Sequence, residues 1–265
     1  MKRHSMWLTV FLALIWTSTV FAHGRTKNVV LVHGAWHGAW AWHVTASMLE
    51  SSGYNVFVPD LPGHGIDGTA PAAVTLDAYV QKVVAILDSL PEPAVVVGHS
   101  MGGIVISQAS EVRPNRVAKL VYLAAFMPMN GESGLSLASE DTGSMVLPNL
   151  IVDPASGTID IQRDHIADIF YGESRSEYVT LARALLRPNP LWAVATPLTL
   201  TASNYGRLPR YYIRTSNDFA VTPTIQDRML QSQPCKKVYS IESDHSPFFS
   251  HPHQLNAILQ RILND

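Results

Sequence analysis

The chain has 265 residues, of which 47% are hydrophobic and 15% are charged, with one cysteine and a formal net charge of −2. The apolar content and the low charge exclude a disordered chain, and the lack of a basic excess argues against nucleic-acid binding. The single cysteine, Cys235, cannot form an internal disulfide, and thiolate zinc clusters and iron–sulfur centres are excluded. The composition therefore predicts a compact soluble domain, or a domain that also carries a membrane segment.

The first 22 residues have the pattern of a secretory signal peptide. A basic head, Lys2–His4, precedes the apolar run Met6–Trp16, and the segment ends in Val20-Phe21-Ala22. The apolar run is too short for a transmembrane helix, which needs about 20 residues. We expect cleavage after Ala22, a periplasmic or secreted mature protein, and no stable membrane insertion after processing. The alternative is an uncleaved N-terminal anchor.

From residue 28 onward, short β-branched runs alternate with longer segments of helical period. This pattern predicts strands at Val29–Val32, Asn55–Val58, Ala94–Val97 and Val117–Ala124, with helices at His43–Ser52, Thr75–Leu90 and Met101–Glu111. Further along, it predicts strands at Arg210–Arg214 and Lys237–Ile241 and helices at Thr222–Gln231 and Pro252–Ile262. Buried strands that alternate with helices are typical of βαβ units. The expected fold class is therefore α/β, with a mostly parallel sheet flanked by helices.

The interval between these two parts, roughly residues 126–209, is rich in Met, Pro, Gly and Ser. It has one clear helical stretch, around Glu177–Leu186. We interpret it as a cap inserted at the carboxyl edge of the sheet, after the strand ending near Ala124, and not as a separate domain. The predicted organisation is a signal peptide at 1–22 and a single domain at 23–265.

The segment Gly98-His99-Ser100-Met101-Gly102 fits the pattern Gly-x-Ser-x-Gly. The bare pattern is weak evidence, because a chain of this length contains it by chance roughly one time in ten. Its context is stronger, since a predicted buried strand ends directly before it and a predicted helix begins directly after it. This strand–turn–helix setting is that of a nucleophile elbow, in which the turn exposes the serine hydroxyl above the sheet. Ser100 is therefore the candidate nucleophile.

A serine nucleophile needs a base and an orienting acid, and candidates follow the last two predicted strands. Asp218 comes after the strand Arg210–Arg214, and His245 comes after the strand Lys237–Ile241. Ligands and catalytic groups gather at the carboxyl ends of strands in α/β sheets, and the chain order serine, acid, histidine is a known order of this triad. Asp244 is the weaker candidate for the acid, because adjacent side chains seldom hydrogen-bond with triad geometry.

The turn after the first predicted strand supplies a candidate oxyanion hole. His33-Gly34-Ala35-Trp36 ends that strand with small residues, whose backbone amides can face a tetrahedral intermediate. We assign the two donors to the amides of Ala35 and Met101.

Three histidines near this turn, His33, His37 and His43, could also be interpreted as metal ligands. The glycine-containing turn breaks any helix that would bring His33 and His37 to one face, and no nearby acid completes a ligand set. We therefore expect no metal and no organic cofactor.

Several motifs together resemble the α/β-hydrolase superfamily. They are Leu31–Trp40, Val58–Gly65, Gly98–Gly103 and Asp244–Phe249. The chain is most similar to the branch of plant methylesterases, hydroxynitrile lyases and small bacterial carboxylesterases, some of them pyrethroid hydrolases. The resemblance covers most of residues 28–265 and is weakest through the interval 126–209. It implies the α/β-hydrolase fold and the same five site residues: Ser100, Asp218, His245, Ala35 and Met101.

Two positions depart from the pattern of the hydroxynitrile lyases. Those enzymes carry a lysine directly after the histidine and a threonine in the oxyanion turn, whereas this chain has Ser246 and Gly34 there. The resemblance therefore disfavours cyanohydrin cleavage and implies ester hydrolysis.

The sequence thus predicts an exported serine esterase of the carboxylesterase type that hydrolyses apolar carboxylic esters through an acyl-enzyme. Apolar residues expected to line its substrate pocket are Trp36, Phe126, Met127, Met129, Met145, Phe170, Tyr171 and Trp192. The expected partner is a small hydrophobic ester, and a homodimer is an open alternative to a monomer. Two other functions stay open: a lactonase, amidase or carbamate hydrolase with the same triad, and a ligand receptor of this fold with slow turnover.

Overall fold

The computed structural model describes residues 27–265, so the segment predicted to be a signal peptide lies outside the described residues. In chain order the strands are β1 (Asn28–Val32), β2 (Asn55–Phe57), β3 (Ala94–His99), β4 (Val117–Leu123), β5 (Leu150–Asp153), β6 (Thr158–Ile161), β7 (Asn189–Pro190), β8 (Arg210–Thr215) and β9 (Lys237–Ile241). The helices are α1 (His43–Ser51), α2 (Leu76–Ser89), α3 (Gly102–Val112), α4 (Gly134–Glu140), α5 (Ile166–Phe170), α6 (Ser176–Leu185), α7 (Leu191–Ala195), α8 (Pro223–Ser232), α9 (Pro247–Ser250) and α10 (Pro252–Asn264).

The main sheet of the described chain has the strand order β2-β1-β3-β4-β8-β9, and every neighbouring pair in it is parallel. β1 and β3 are valine-rich and buried along their whole length, as expected for strands covered by helices on both faces. Because the strands are parallel, the turns that follow them meet at one edge of the sheet. The predicted α/β class with a mostly parallel sheet is confirmed.

Helix α2 shows how the sequence pattern becomes packing. The Thr75 hydroxyl accepts a hydrogen bond from the Ala78 N–H (3.2 Å) and caps the first turn. Its buried residues follow the helical period and face the sheet core: Leu76, Tyr79, Val80, Val83, Val84 and Leu87.

The interval between β4 and β8 is more regular than the sequence predicted. Besides the expected helix, which is α6, it contains α4, α5, α7 and a small antiparallel sheet of β5, β6 and β7. These elements are two to seven residues long, too short for a periodic pattern to stand out. We call residues 126–209 the insertion.

Several strand boundaries differ from the prediction by one or two residues. β2 ends at Phe57 and not at Val58, and β4 ends at Leu123 and not at Ala124. Ala124 has a φ of 45°, in the left-handed region, so the backbone turns out of the sheet there. Within residues 27–265, no helix has the length and the apolar character needed to cross a membrane.

Candidate active site

Ser100 lies on the turn that joins β3 to α3. Its φ is 53°, a conformation that residues other than glycine rarely adopt. Three backbone hydrogen bonds hold it: its N–H donates to the Leu123 carbonyl (3.2 Å), and its carbonyl accepts from the Gly103 N–H (3.0 Å) and the Phe126 N–H (3.1 Å). Strain of this kind persists only where the surroundings over-determine the backbone, and it concentrates at functional sites.

The glycines around Ser100 are there because the backbone segments approach too closely for a side chain. A Cβ on Gly98 would come within 2.7 Å of the Gly102 carbonyl oxygen, and one on Gly103 would overlap the Phe126 carbonyl. A Cβ on Gly34, in the turn after β1, would lie 2.9 Å from the Ser100 Cβ. The elbow and the turn after β1 are therefore in direct contact.

Asp218 and His245 form a buried hydrogen-bonded pair at the carboxyl ends of β8 and β9. The His245 Nδ1–H donates to Asp218 Oδ2 at 2.8 Å, and both side chains are 2% exposed or less. The same carboxylate accepts hydrogen bonds from the Thr215 hydroxyl (2.8 Å) and from the Ala220 and Val221 N–H groups (2.8 and 2.9 Å). These bonds fix the carboxylate, which in turn fixes the ring of His245.

The nucleophile turn and the histidine loop are joined directly. His99, the residue before Ser100, donates from Nε2 to the backbone carbonyl of His245 at 2.9 Å. Burial lowers the pKa of His99 well below its usual 6.5, so the ring is neutral and carries its proton on Nε2, towards that carbonyl.

Asp244, the weaker candidate for the acid, is bonded elsewhere. Its Oδ1 accepts from the Ser246 N–H (3.1 Å) and the Ser250 hydroxyl (2.7 Å). Its Oδ2 accepts from the Glu173 N–H (3.0 Å) and the Ser174 hydroxyl (2.9 Å), which belong to the insertion. The structure thus places Asp218, and not Asp244, against the ring of His245. Asp244 connects the loop around His245 to the insertion through hydrogen bonds.

The turn after β1, residues 33–37, is held by neutral histidines, and we call it the β1 turn. Burial lowers the pKa of His33 to about 4 and that of His37 to about 3. The Nδ1–H of His33 donates to the Gly34 carbonyl (2.8 Å), and its Nε2 accepts from the Leu61 N–H (3.1 Å). His37 donates from Nδ1 to the Ala35 carbonyl (2.7 Å).

His33 and His37 thus hold hydrogen bonds within the fold. His43, the third member of that set, is exposed on α1. In the part of the chain that the structure describes, no group of His, Cys, Asp or Glu side chains is arranged to hold a metal ion.

An apolar cavity opens beside Ser100, between the elbow and the insertion. Ala35 and Met101, the assigned oxyanion donors, line it together with Ser100. The remaining lining residues are Trp36, Phe126, Gly134, Leu135, Ala138, Ser144, Val146, Leu147, Leu150, Ile159, Phe170, Val194, Ala220 and Val221. Among the described residues, none with a charged side chain lines this cavity.

Of the residues predicted to line the substrate pocket, Trp36, Phe126 and Phe170 line this cavity, and the others do not. Trp192 is 59% exposed on the outside of the insertion. Met129 is also exposed, and Met145 packs against the core.

Met127 and Tyr171 are buried but lie outside the cavity. Met127 packs away from it, with its sulfur 3.7 Å from the Sγ of Cys235. Tyr171 donates its hydroxyl to Nε2 of His37. No local sequence pattern separates a buried apolar residue of the insertion from a residue that lines the cavity. The cavity residues Leu147, Leu150 and Val194 therefore lie outside the predicted set.

A serine on a strained strand–helix turn, with a buried His–Asp pair at the ends of two later strands, defines the α/β-hydrolase class. The model of the alpha/beta hydrolase family matches residues 29–258, and the chain belongs to that family. The family predicted from the motifs is therefore confirmed.

Relatives place the chain with methylesterases. It is 37% identical over 90% of its length to "Putative methylesterase 11, chloroplastic" of Arabidopsis thaliana, and it spans 64% of that relative's length. The crystal structure of the methylesterase MES16 from Arabidopsis is similar with a TM-score of 0.78 and 30% identity, covering 90% of this chain and 99% of that one. Tomato methylketone synthase I complexed with 2-tridecanone gives a TM-score of 0.82 at 29% identity, covering 90% and 98%. The chain is thus an alpha/beta hydrolase that is similar to methylesterases.

Proposed function

We propose that this protein is a serine esterase that hydrolyses uncharged, apolar carboxylic esters through an acyl-enzyme. One observation carries the proposal: Ser100, on its strained turn, lines an apolar cavity. The buried His245–Asp218 pair lies beside the lining residues Phe170, Ala220 and Val221. The cavity supplies a site for the apolar part of an ester, and the pair supplies the base that the serine hydroxyl needs.

The proposed reaction has two halves. Ser100 Oγ attacks the ester carbonyl while His245 takes the serine proton and passes it to the departing alcohol. Water then attacks the acyl-enzyme with His245 again as base, which releases the acid and restores the serine. Asp218 holds the Nδ1–H of His245 at 2.8 Å and stabilises the imidazolium that forms in each half. The amides of Ala35 and Met101 are the proposed donors to the oxyanion, since both residues line the cavity with Ser100.

The lining of the cavity supports an uncharged substrate. Burying an unpaired charge there would carry a large desolvation penalty, because the described lining residues offer no charged partner. The names of the relatives support an ester of a small alcohol, and the neighbour complexed with 2-tridecanone supports an apolar chain. Ser246, at the position where hydroxynitrile lyases carry lysine, is fully buried and neutral, which supports hydrolysis over cyanohydrin cleavage.

The proposal is tested with p-nitrophenyl acetate, butyrate and octanoate and with a methyl ester series, against the anionic mono-p-nitrophenyl ester of succinic acid. We expect multiple turnovers on the neutral esters and at least a tenfold lower kcat/KM on the anionic one. In Ser100→Ala we expect kcat to fall by about 10⁴ to 10⁶ with the fold retained, as for other triad deletions.

Other outcomes of this panel would replace the proposal. Release of p-nitrophenol limited to one equivalent would indicate a receptor with slow turnover. Lactones, amides and carbamates are assayed in parallel. A higher kcat/KM on one of these classes than on the esters would change the proposed substrate class and leave the proposed triad unchanged. Equal activity in the wild type and in Ser100→Ala would remove Ser100 as the nucleophile.

We also infer export, from the basic head and apolar run in residues 1–22. The chloroplastic name of the plant relative indicates a different compartment for that protein. Intact-mass measurement of the full chain expressed with an export machinery tests the inference. A mature N-terminus at His23 supports it, and retention of Met1 to Ala22 contradicts it.

A further inference from the structure

The insertion makes four hydrogen bonds to two residues of the β1 turn. Trp36 accepts at its carbonyl from the Arg187 N–H (2.9 Å) and donates from Nε1 to the Ile159 carbonyl (3.1 Å). Its backbone N–H donates to Asn189 Oδ1 (3.4 Å). The fourth bond joins the Tyr171 hydroxyl to Nε2 of His37 (2.6 Å). All four partners lie between residues 159 and 189 of the insertion.

The bond from Tyr171 continues to the residue assigned to the oxyanion hole. Nδ1 of His37 lies 2.7 Å from the Ala35 carbonyl, which can only accept, so Nδ1 carries the proton. The ring is neutral, because burial lowers its pKa to about 3, and Nε2 is therefore an acceptor for the Tyr171 hydroxyl. Two hydrogen bonds thus run in sequence, from the Tyr171 hydroxyl to His37 and from His37 to the Ala35 carbonyl. All three residues are buried.

The β1 turn needs such support. Trp36 has a φ of 62°, a strained conformation for a residue other than glycine. Ser100 packs directly against the turn at Gly34, so any displacement of the turn changes its position relative to the nucleophile. A shift of about 1 Å at such a site is enough to lower a rate by a large factor.

We propose that the insertion positions the oxyanion turn, with Tyr171 acting through His37 on Ala35, so that the insertion belongs to the carbonyl-activating machinery and does not merely cover the substrate. This inference rests on the proposed esterase function. Tyr171 is a positioning residue, because it lies outside the cavity and does not touch the site that the substrate occupies.

The central test is Tyr171→Phe, which removes one hydroxyl and keeps the ring packing. We expect kcat on p-nitrophenyl butyrate to fall about tenfold, less than the ~10²–10³ for loss of an oxyanion donor, because the amide of Ala35 is displaced and not removed. KM is expected to change by less than twofold, since the cavity lining is intact. The matched control is Tyr205→Phe, which removes another buried tyrosine hydroxyl, bonded to Tyr122 and Gln233 away from the site. Its kcat should stay within twofold of the wild type.

A second pair of variants separates positioning from general stability. His37→Asn keeps an N–H near the position of Nδ1 and loses the acceptor for Tyr171, whereas His37→Leu loses both groups. We expect the kcat order wild type, His37→Asn, His37→Leu. The double variant Tyr171→Phe/His37→Asn should be no slower than His37→Asn alone, because both changes remove the same bond.

The affinity for an alkyl trifluoromethyl ketone gives a readout that a purely structural role would not move. Ser100 Oγ adds to its carbonyl carbon, His245 takes the serine proton, and the carbonyl π electrons move to the oxygen, which becomes an oxyanion. In Tyr171→Phe the Ki of the ketone should rise by the same factor by which kcat falls. The Tm of Tyr171→Phe should match that of Tyr205→Phe. Equal kcat and Ki in the two tyrosine variants would overturn the inference. A wild type inactive on every ester would instead overturn the proposed function, so the two failures are distinguishable.

Discussion

The site is built from two regions that hold their residues in different ways. Ser100, Asp218 and His245 lie at the carboxyl ends of β3, β8 and β9, where strands of the central sheet fix the backbone. The insertion contributes the opposite wall of the cavity and the hydrogen bonds to the β1 turn, from short helices, short strands and loops. Substitutions at the strand ends should therefore abolish the chemistry with the fold intact. Substitutions in the insertion should change rates and selectivity by modest factors.

The largest expected effect at a strand end, apart from loss of the nucleophile, is that of Asp218→Asn. An amide at this position can donate to Nδ1 of His245, which favours the wrong tautomer, and the charge that stabilises the imidazolium is lost. We expect kcat to fall by about 10⁴, as for the same substitution in a serine-protease triad. The kcat of Asp218→Asn and of the wild type is measured from the release of p-nitrophenol from p-nitrophenyl butyrate.

Asp244→Asn is the matched control, since Asp244 is equally buried, has the same side chain and precedes His245 directly. Its carboxylate bonds to the insertion and to the loop after His245, not to the ring. We expect a fall in kcat of tenfold or less and a loss of stability of about 1 to 3 kcal/mol in urea unfolding. A larger loss of kcat in Asp244→Asn than in Asp218→Asn would assign the acid to Asp244.

The strand ends were predictable from the sequence because each carries a local signal. The valine run Val95–Val97 marks a buried strand, and the glycines around Ser100 follow from backbone contacts that exclude a Cβ. Asp218 and His245 could be placed because parallel strands end at one edge. Their mutual bond of 2.8 Å then follows from the topology.

The insertion could not be predicted to the same depth, for a physical reason. Tyr171 and His37 are 134 residues apart, and nothing in the local pattern of either indicates the other. Trp192 is apolar and aromatic like Phe170, yet one is exposed and the other lines the cavity. Which apolar residues of a short helix face inward depends on long-range packing, and periodicity over five residues does not determine it.

The next expected effect concerns acid stability, to which the buried histidines of the β1 turn contribute. His33 and His37 have pKa values of about 4 and about 3 in the fold, below the 6.5 of the unfolded chain. Between pH 6.5 and 4 the unfolded state binds protons that the native state does not, so stability falls as the pH is lowered through this window. Each of the two histidines contributes a slope of about 1.4 kcal/mol per pH unit, which vanishes above 6.5 and below its folded pKa.

Urea unfolding at half-unit steps from pH 7.5 to 4 measures that slope. In His37→Asn the position no longer titrates, and the slope between pH 6.5 and 4 should decrease by about 1.4 kcal/mol per pH unit. His43→Asn is the control for the loss of a histidine side chain, because His43 lies exposed on α1, away from the β1 turn. An unchanged slope in His37→Asn would mean that His37 is protonated in the native state at these pH values, and the direction of its bond to Tyr171 would have to be reversed.

The smallest expected effect tests which side of the insertion meets the substrate. Leu147 lines the cavity and is 37% exposed, so Leu147→Ala removes apolar contact with a long acyl chain without opening the core. At about 0.8 kcal/mol per buried methylene, the ratio of kcat/KM for octanoate over acetate should fall about three- to tenfold. Trp192→Ala removes a larger apolar side chain from the outer face of the same insertion, and the ratio should stay within twofold of the wild type. A larger change in Trp192→Ala than in Leu147→Ala would place the acyl chain on the outer face, and the cavity beside Ser100 would then hold only the reacting carbonyl.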